Sequence, residues 1–127
     1  MSEMTVFQPD RIETLRDQLG DEDGVLVREI IQLYLVQAWD LLAQMEVAAQ
    51  HSDEYQLRGL AHSLKGSTAT VGGSRLAAVC DHLEHASSAE LASPDVWRPA
   101  QREFELLAAE LGHSYPLLAG LVRPGDA

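Results

Sequence analysis

Apolar side chains along this chain recur at three- and four-residue steps rather than on alternate positions, the spacing that lines one face of a helix. Five segments read this way. The first spans about Arg11 to Leu19, with Asp10 as N-cap, Glu13 completing a capping box, and Gly20 as the stop. The acidic turn Asp21-Glu22-Asp23-Gly24 then precedes a long second helix, about Val25 to Gln50, where a helix N-terminus favours negative charge. Its apolar positions are Val27, Ile30, Ile31, Tyr34, Ala38, Leu41, Met45 and Ala48. Ser52 or Asp53 caps a third helix, about Glu54 to Val71, which Gly72-Gly73 ends. Ser74 caps a fourth, about Arg75 to Ser87, with Leu76, Val79, Cys80 and Leu83 on one face. Ser93-Pro94 opens a fifth region, in which Phe104, Leu107, Leu111, Tyr115, Leu118 and Val122 keep near-heptad spacing. An interior proline costs about 3 kcal/mol, so Pro99 belongs near the true start of that helix and Pro116 at a kink or break. Long helices with short connections predict an all-α fold, an antiparallel four-helix bundle with a short accessory N-terminal helix. One domain is expected over residues 1–127, with frayed ends at about 1–8 and 124–127.

Composition narrows the function classes. The 127 residues are 46% hydrophobic, enough to bury a core. Nine Lys+Arg against 20 Asp+Glu give 9 − 20 = −11 with histidines neutral. Polyphosphate and anionic lipid would both repel such a molecule, so neither nucleic acid nor a membrane surface is an expected partner. Cys80 is the only cysteine and cannot form an internal disulfide, which fits a reducing compartment. The first ten residues lack the basic start and apolar core of a secretory signal, and no apolar run approaches the roughly 20 residues of a spanning helix. A cytoplasmic location is expected.

The informative stretch is Tyr55 to Cys80, which holds Arg58, Lys65 and Arg75 but no acidic residue. Lys65 is the only lysine of the chain and lies three residues after His62. At about 100° per residue, Leu57, Leu60, Leu64 and Val71 fall within about 40° of the side opposite His62. Tyr55, Arg58, Gly59, Lys65, Gly66 and Ala69 fall within about 60° of it. His62 therefore points away from the buried stripe, with a cation and a residue lacking a side chain one turn onward. Gly66 inside a helix costs about 1 kcal/mol relative to alanine, and both Gly66 and Gly59 leave room for a bulky partner beside the imidazole. Attack by a neutral imidazole nitrogen on phosphorus wants this arrangement, with an ammonium to offset the charge of the phosphohistidine. Lysine suits that role as a mobile point charge.

His62-Ser63-Leu64-Lys65-Gly66-Ser67, then Gly72, Leu76, Cys80 and Leu83-Glu84, resembles the signature of the histidine-containing phosphotransfer (HPt) domain. The match in order and spacing covers about Leu57 to Glu84, and the looser helical pattern extends it to most of the chain. The resemblance implies a four-helix bundle that accepts a phosphoryl group from a receiver-domain aspartate and passes it to another receiver. On this reading His62 is the acceptor, Lys65 sits near the phosphate and Gly66 keeps the ring accessible. Glu84 matches the position of a polar residue that hydrogen-bonds the ring; phasing puts it at the border of the fourth helix's apolar face, beside Ala77 and Cys80. If it accepts from Nδ1–H, Nε2 is left as the nucleophile. Arg58, Gly59 and Ala69 would form part of the docking face. The implied partners are response-regulator receivers and a hybrid sensor histidine kinase. Mg²⁺ is expected on the receiver, with no cofactor or metal on this chain. It would act as a monomer, and as a carrier rather than an enzyme that turns over alone.

The remaining histidines read as ordinary surface groups. His82 and His85 with Asp81 and Glu84 have metal-ligand spacing, but His85 lies opposite the apolar face, as a solvated residue would. Glu110-x-x-His113 is a single copy of a motif that di-iron bundles use twice. His51 suits a helix end. Trp39 and Trp97 are expected to pack. A sensor-kinase dimerisation helix pair also carries a phosphorylated histidine, but usually with an acidic residue directly after it and a proline a few positions on. Ser63 follows His62 here, and no proline lies between Pro9 and Pro94. A helical adaptor or inhibitor that keeps the shape without phosphotransfer is the remaining alternative, and the intact His62-Lys65-Gly66 set counts against it.

Overall fold

The computed structural model describes residues 4–115 and contains helices but, among the described residues, no strand. In chain order they are α1 (Pro9–Leu19), α2 (Val25–Gln50), α3 (Glu54–Thr70), α4 (Ser74–His85), α5 (Ser88–Leu91) and α6 (Arg98–Ser114). The three-residue connections on either side of α3 make α2, α3 and α4 run back and forth. α2 packs on α3, α3 on α4, α4 on α6 and α6 again on α2, so four helices close a ring, with α1 lying against α2. No helix among the described residues is long and apolar enough to cross a membrane.

Most boundaries follow the apolar pattern, and the exceptions have local causes. α1 begins at Pro9, with Gln8 as an N-cap that makes no side-chain bond. Proline's preset φ and missing N–H suit that first position, so Asp10 falls inside the first turn instead of capping it. Gly20 closes α1 in the left-handed conformation, at φ 63°. Asp21 acquires a more specific role than general acidity. Its carboxylate accepts from the backbone N–H of Val27 at 2.8 Å and of Leu26 at 3.2 Å, taking up donors that the start of α2 would leave unpaired. Burial alone would raise its pKa, but these two N–H groups hold it below the ordinary value. Asp53, not Ser52, caps α3 by accepting from Gln56 N–H. Gly73 rather than Ser74 is the N-cap of α4, which ends at His85. Beyond it Ala86 and Ser87 are extended, and the Ser87 hydroxyl accepts from Glu90 N–H to start the short α5, an element the apolar pattern does not announce. Ser93-Pro94 begins a turn, and α6 starts at Arg98 with Pro99 in its first turn. Of the stretch expected to fray, Val6 and Phe7 pack against the core. Pro116, Leu118, Val122 and residues 124–127 lie outside the described residues.

The core is made of Ile31, Tyr34, Leu35, Ala38, Leu42 and Met45 from α2, Leu57, Ala61 and Leu64 from α3, Leu76, Cys80 and Leu83 from α4, and Phe104, Leu107 and Leu111 from α6. Phe104 meets Trp39 edge-on at 5.2 Å between ring centroids and Tyr34 at 6.3 Å. Trp97 is buried, with the Arg98 guanidinium over its ring. Burial pushes the Cys80 thiol up to about 12, so it remains a neutral core group. One polar pair lies inside: Tyr34 Oη and Thr68 Oγ1 share a hydrogen bond of 2.7 Å between α2 and α3. On α3 the buried face comprises Leu57, Ala61, Leu64 and Thr68, while Leu60 is half-buried and His62, Gly59, Gly66 and Ala69 face outwards.

The α3–α4 turn is pinned from outside. Gln8 N–H donates to the Gly72 carbonyl at 2.8 Å, and Gly72 has φ +85°. A Cβ at Gly72 would lie 2.5 Å from the Gln8 carbonyl oxygen, a backbone atom with little room to move. Gly66, by contrast, has nothing within 4 Å of its Cβ direction. Gly72→Ala is therefore expected to lose about 2–4 kcal/mol from left-handed strain plus the collision. Gly66→Ala should gain up to about 1 kcal/mol from helix propensity. Urea denaturation of both variants beside the wild type checks the opposite signs.

Candidate functional site

α3 and α4 share the most extensive helix contact in the bundle, and they bring the charged residues singled out in the sequence to one edge of their interface. His62 lies on the outer face of α3 with 69% of its side chain exposed. Glu84, the penultimate residue of α4, leans across: its Oε2 lies 3.0 Å from His62 Nδ1. Its other oxygen, Oε1, forms an ion pair with Lys65 Nζ at 2.7 Å. One carboxylate thus holds both the ring and the ammonium. Lys65 also reaches Asp81 Oδ1 at 3.2 Å.

The charges settle the protonation pattern. The Lys65 ammonium, and then the bond to His62, hold the Glu84 carboxyl below its ordinary value against the effect of burial. Glu84, and then Asp81, hold the Lys65 ammonium above its ordinary value. Near neutral pH the carboxylate is ionised and can only accept, so Nδ1 of His62 carries the proton and donates it to Glu84. In the neutral ring Nε2 then has the lone pair. The arrangement provides an exposed nucleophilic nitrogen, a carboxylate to offset positive charge that develops on the ring, and an ammonium within the same cluster to offset negative charge.

Gly59 and Gly66 flank His62 on the exposed face of α3, and a Cβ at either would meet nothing within 4 Å. Neither glycine is required by packing. Ala69 is exposed one turn beyond Gly66, on the same outward face of α3. Arg58 is more tightly employed than a free surface cation. Its Nη1 donates to the Glu84 carbonyl oxygen at 2.8 Å, and its Nη2 pairs with Glu54 Oε1 at 2.7 Å. Ser88 Oγ donates to the same Glu54 oxygen at 2.8 Å. This chain of contacts ties the last turn of α4, and with it Glu84, to the start of α3. A shallow depression beside the ring is lined by Tyr55, Gly59, Leu60, His62 and His85, among others. Tyr55 stands 91% exposed at its margin.

Two roles within the site escaped the sequence reading. Asp81 is one turn before Glu84 on the same helix, a spacing that places both carboxylates side by side, but only the packing of α4 on α3 shows that they share Lys65. The structural task of Arg58 depends on Glu84's backbone, which no residue pattern announces. The other histidines make contacts of their own, although His85 lines the same depression as His62. His51 Nδ1 meets the Val47 carbonyl at the end of α2, His82 pairs with Glu90 of α5, and His85 Nδ1 meets the Asp81 carbonyl. Ligand atoms of Asp81, Glu84 and His85 lie within 4.8 Å of one another. Both carboxylates already hold the Lys65 ammonium, so a metal ion there would have to displace it.

Among known families, the model of the Hpt domain matches residues 29–114, a span that includes all of α3, α4 and α6 and most of α2. No curated protein and no solved structure matches the chain.

The Glu84–Lys65 pair sets a pH window. A carboxyl held below its ordinary value stabilises the fold above the unfolded value of 4.5 and loses that contribution as pH falls through the folded value. The lysine, held above 10.5, contributes below that pH and loses its share as pH rises through the folded value. Glu84→Gln should therefore unfold at a lower temperature than wild type at neutral pH, and the gap should close as pH falls below 4.5. Thermal midpoints measured across that range check it.

Proposed function

We propose that this chain, which belongs to the Hpt domain family, is a phosphohistidine carrier that takes a phosphoryl group onto His62 from a receiver-domain aspartate and hands it to another receiver. Domains of this family take part in phosphorelay signalling. The observation that carries the finer reading is the exposed His62 ring, hydrogen-bonded through Nδ1 to an ionised carboxylate.

In the forward step Nε2 attacks the phosphorus of the aspartyl phosphate. The Nε2–P bond forms as the acyl O–P bond breaks, and the aspartate carboxylate leaves with the electron pair. The ring, still protonated at Nδ1, becomes cationic, and Glu84 stands against that charge. The arriving phosphoryl group is anionic, and Lys65 is the cation within reach of the same cluster. Donation to the second receiver is the same step reversed. No hydroxyl or water has to be activated, so this chain needs little beyond an accessible ring of the right tautomer, and the Mg²⁺ of the reaction is expected on the receiver. The chain is accordingly a carrier without turnover of its own, acting as a monomer in the cytoplasm with receivers and a hybrid kinase as partners.

Docking has to bring an aspartate to Nε2, which a side chain at position 59 or 66 would crowd. The exposed glycines, Ala69 and the stem of Arg58 make this face of α3 the proposed contact surface. The groove between α2 and α3 lined by Leu33, Gln37 and Thr70, with Leu33 72% exposed, offers further apolar contact area.

Incubation with a phosphorylated receiver tests the carrier reading. Wild type should gain acid-labile, base-stable phosphate and His62→Gln none; equal labelling of both would rule out His62, and no labelling of either would favour the adaptor. Gly66→Leu should fold at least as well as wild type yet accept phosphate more slowly, because it improves helix propensity while crowding the ring. Rapid-quench transfer rates beside a thermal melt check both halves of that expectation.

A further inference from the structure

Lys65 is held by two carboxylates, and they are not equivalent. Glu84 reaches both the ammonium and the ring. Asp81 reaches the ammonium, at 3.2 Å, and the His85 ring, at 3.5 Å from Nδ1. Its side chain is 59% exposed and stands on α4, whereas Lys65 springs from α3, so it draws the ammonium towards α4. Counting Lys65, Glu84 and Asp81, the cluster has a formal charge of +1 − 1 − 1 = −1 around a neutral His62 ring. A phosphoryl group on Nε2 adds nearly two further negative charges and competes with both carboxylates for the single ammonium.

We infer that Asp81 is a positioning residue that holds Lys65 back from the phosphoryl group, so that the phosphohistidine stays weakly shielded and easily surrendered. The inference rests on the carrier reading of His62. A carrier is useful only if it lets go, and an ammonium free to settle on the phosphoryl oxygens would deepen the phosphorylated state. With Asp81 in place, moving the ammonium to the phosphate breaks one ion pair for each one it makes. The charge of the partner decides this, not the side chain's bulk, so asparagine at position 81 should release the ammonium while keeping the shape.

Phosphoramidate, a small donor whose P–N bond to ammonia breaks as Nε2–P forms, allows the test without a receiver. Wild type, Asp81→Asn, Lys65→Gln and the double variant would be loaded with it, freed of donor, and followed by phosphorus NMR. Asp81→Asn should lengthen the phosphohistidine lifetime about two- to fivefold, the range open to an ion pair this exposed. Most of that gain should vanish in the Lys65→Gln background, as a double-mutant cycle requires of a residue acting through Lys65. An unchanged or shortened lifetime in Asp81→Asn, or an equal lengthening with and without Lys65, overturns the inference alone. Absence of label on His62 in wild type overturns the carrier reading, and this inference with it.

Discussion

A single carboxylate joins the chemistry of this molecule to its fold. Glu84 gives one oxygen to the His62 ring and the other to the Lys65 ammonium, and it does so from a different helix. Each bond alone is a half-exposed surface contact of modest worth. Together they fix which ring nitrogen carries the proton, and therefore which one keeps the lone pair. The tautomer is an outcome of packing: it exists because α4 lies close along α3 and because Arg58 holds the final turn of α4 by Glu84's own carbonyl.

The rest of the bundle supplies rigidity on one side and openness on the other. Leu57, Ala61 and Leu64 root α3 in the core with no exposure to speak of, while His62 and its glycine neighbours face solvent. The helix gives up propensity at positions 59 and 66 although nothing in its surroundings demands glycine there. At Gly72 the opposite holds, since a positive φ and the Gln8 carbonyl leave no space for a side chain. Glycines in one short stretch of chain thus have different surroundings, open space in one case and a confined backbone in the other.

Much of this was legible in the residues. The apolar spacing of α2 marks both of its ends, and Pro99 marks the start of α6. Phasing around His62 separates the inner face of α3 from the outer one, apart from Leu60, which lies half-buried at the margin. Local signals failed where a competing local signal was stronger, as when Pro9 displaced Asp10 from the cap of α1. They also failed where an element is too short for periodicity to register, as with α5, which a serine cap and one buried leucine define. The pairing of Asp81 with Lys65 was out of reach for a deeper reason. It is a contact between helices, and spacing along one helix says which residues share a face but not what that face meets.

The hydrogen bond between Tyr34 and Thr68 has a bearing on the surface as well as on the interior. Both hydroxyls are shut away from water, so each depends on the other for a partner. Turning α3 about its axis by a single residue would strand the two of them at once. The bond therefore acts as a phase lock on the helix, and His62, six residues earlier on the same rigid rod, inherits its azimuth from a contact it never touches.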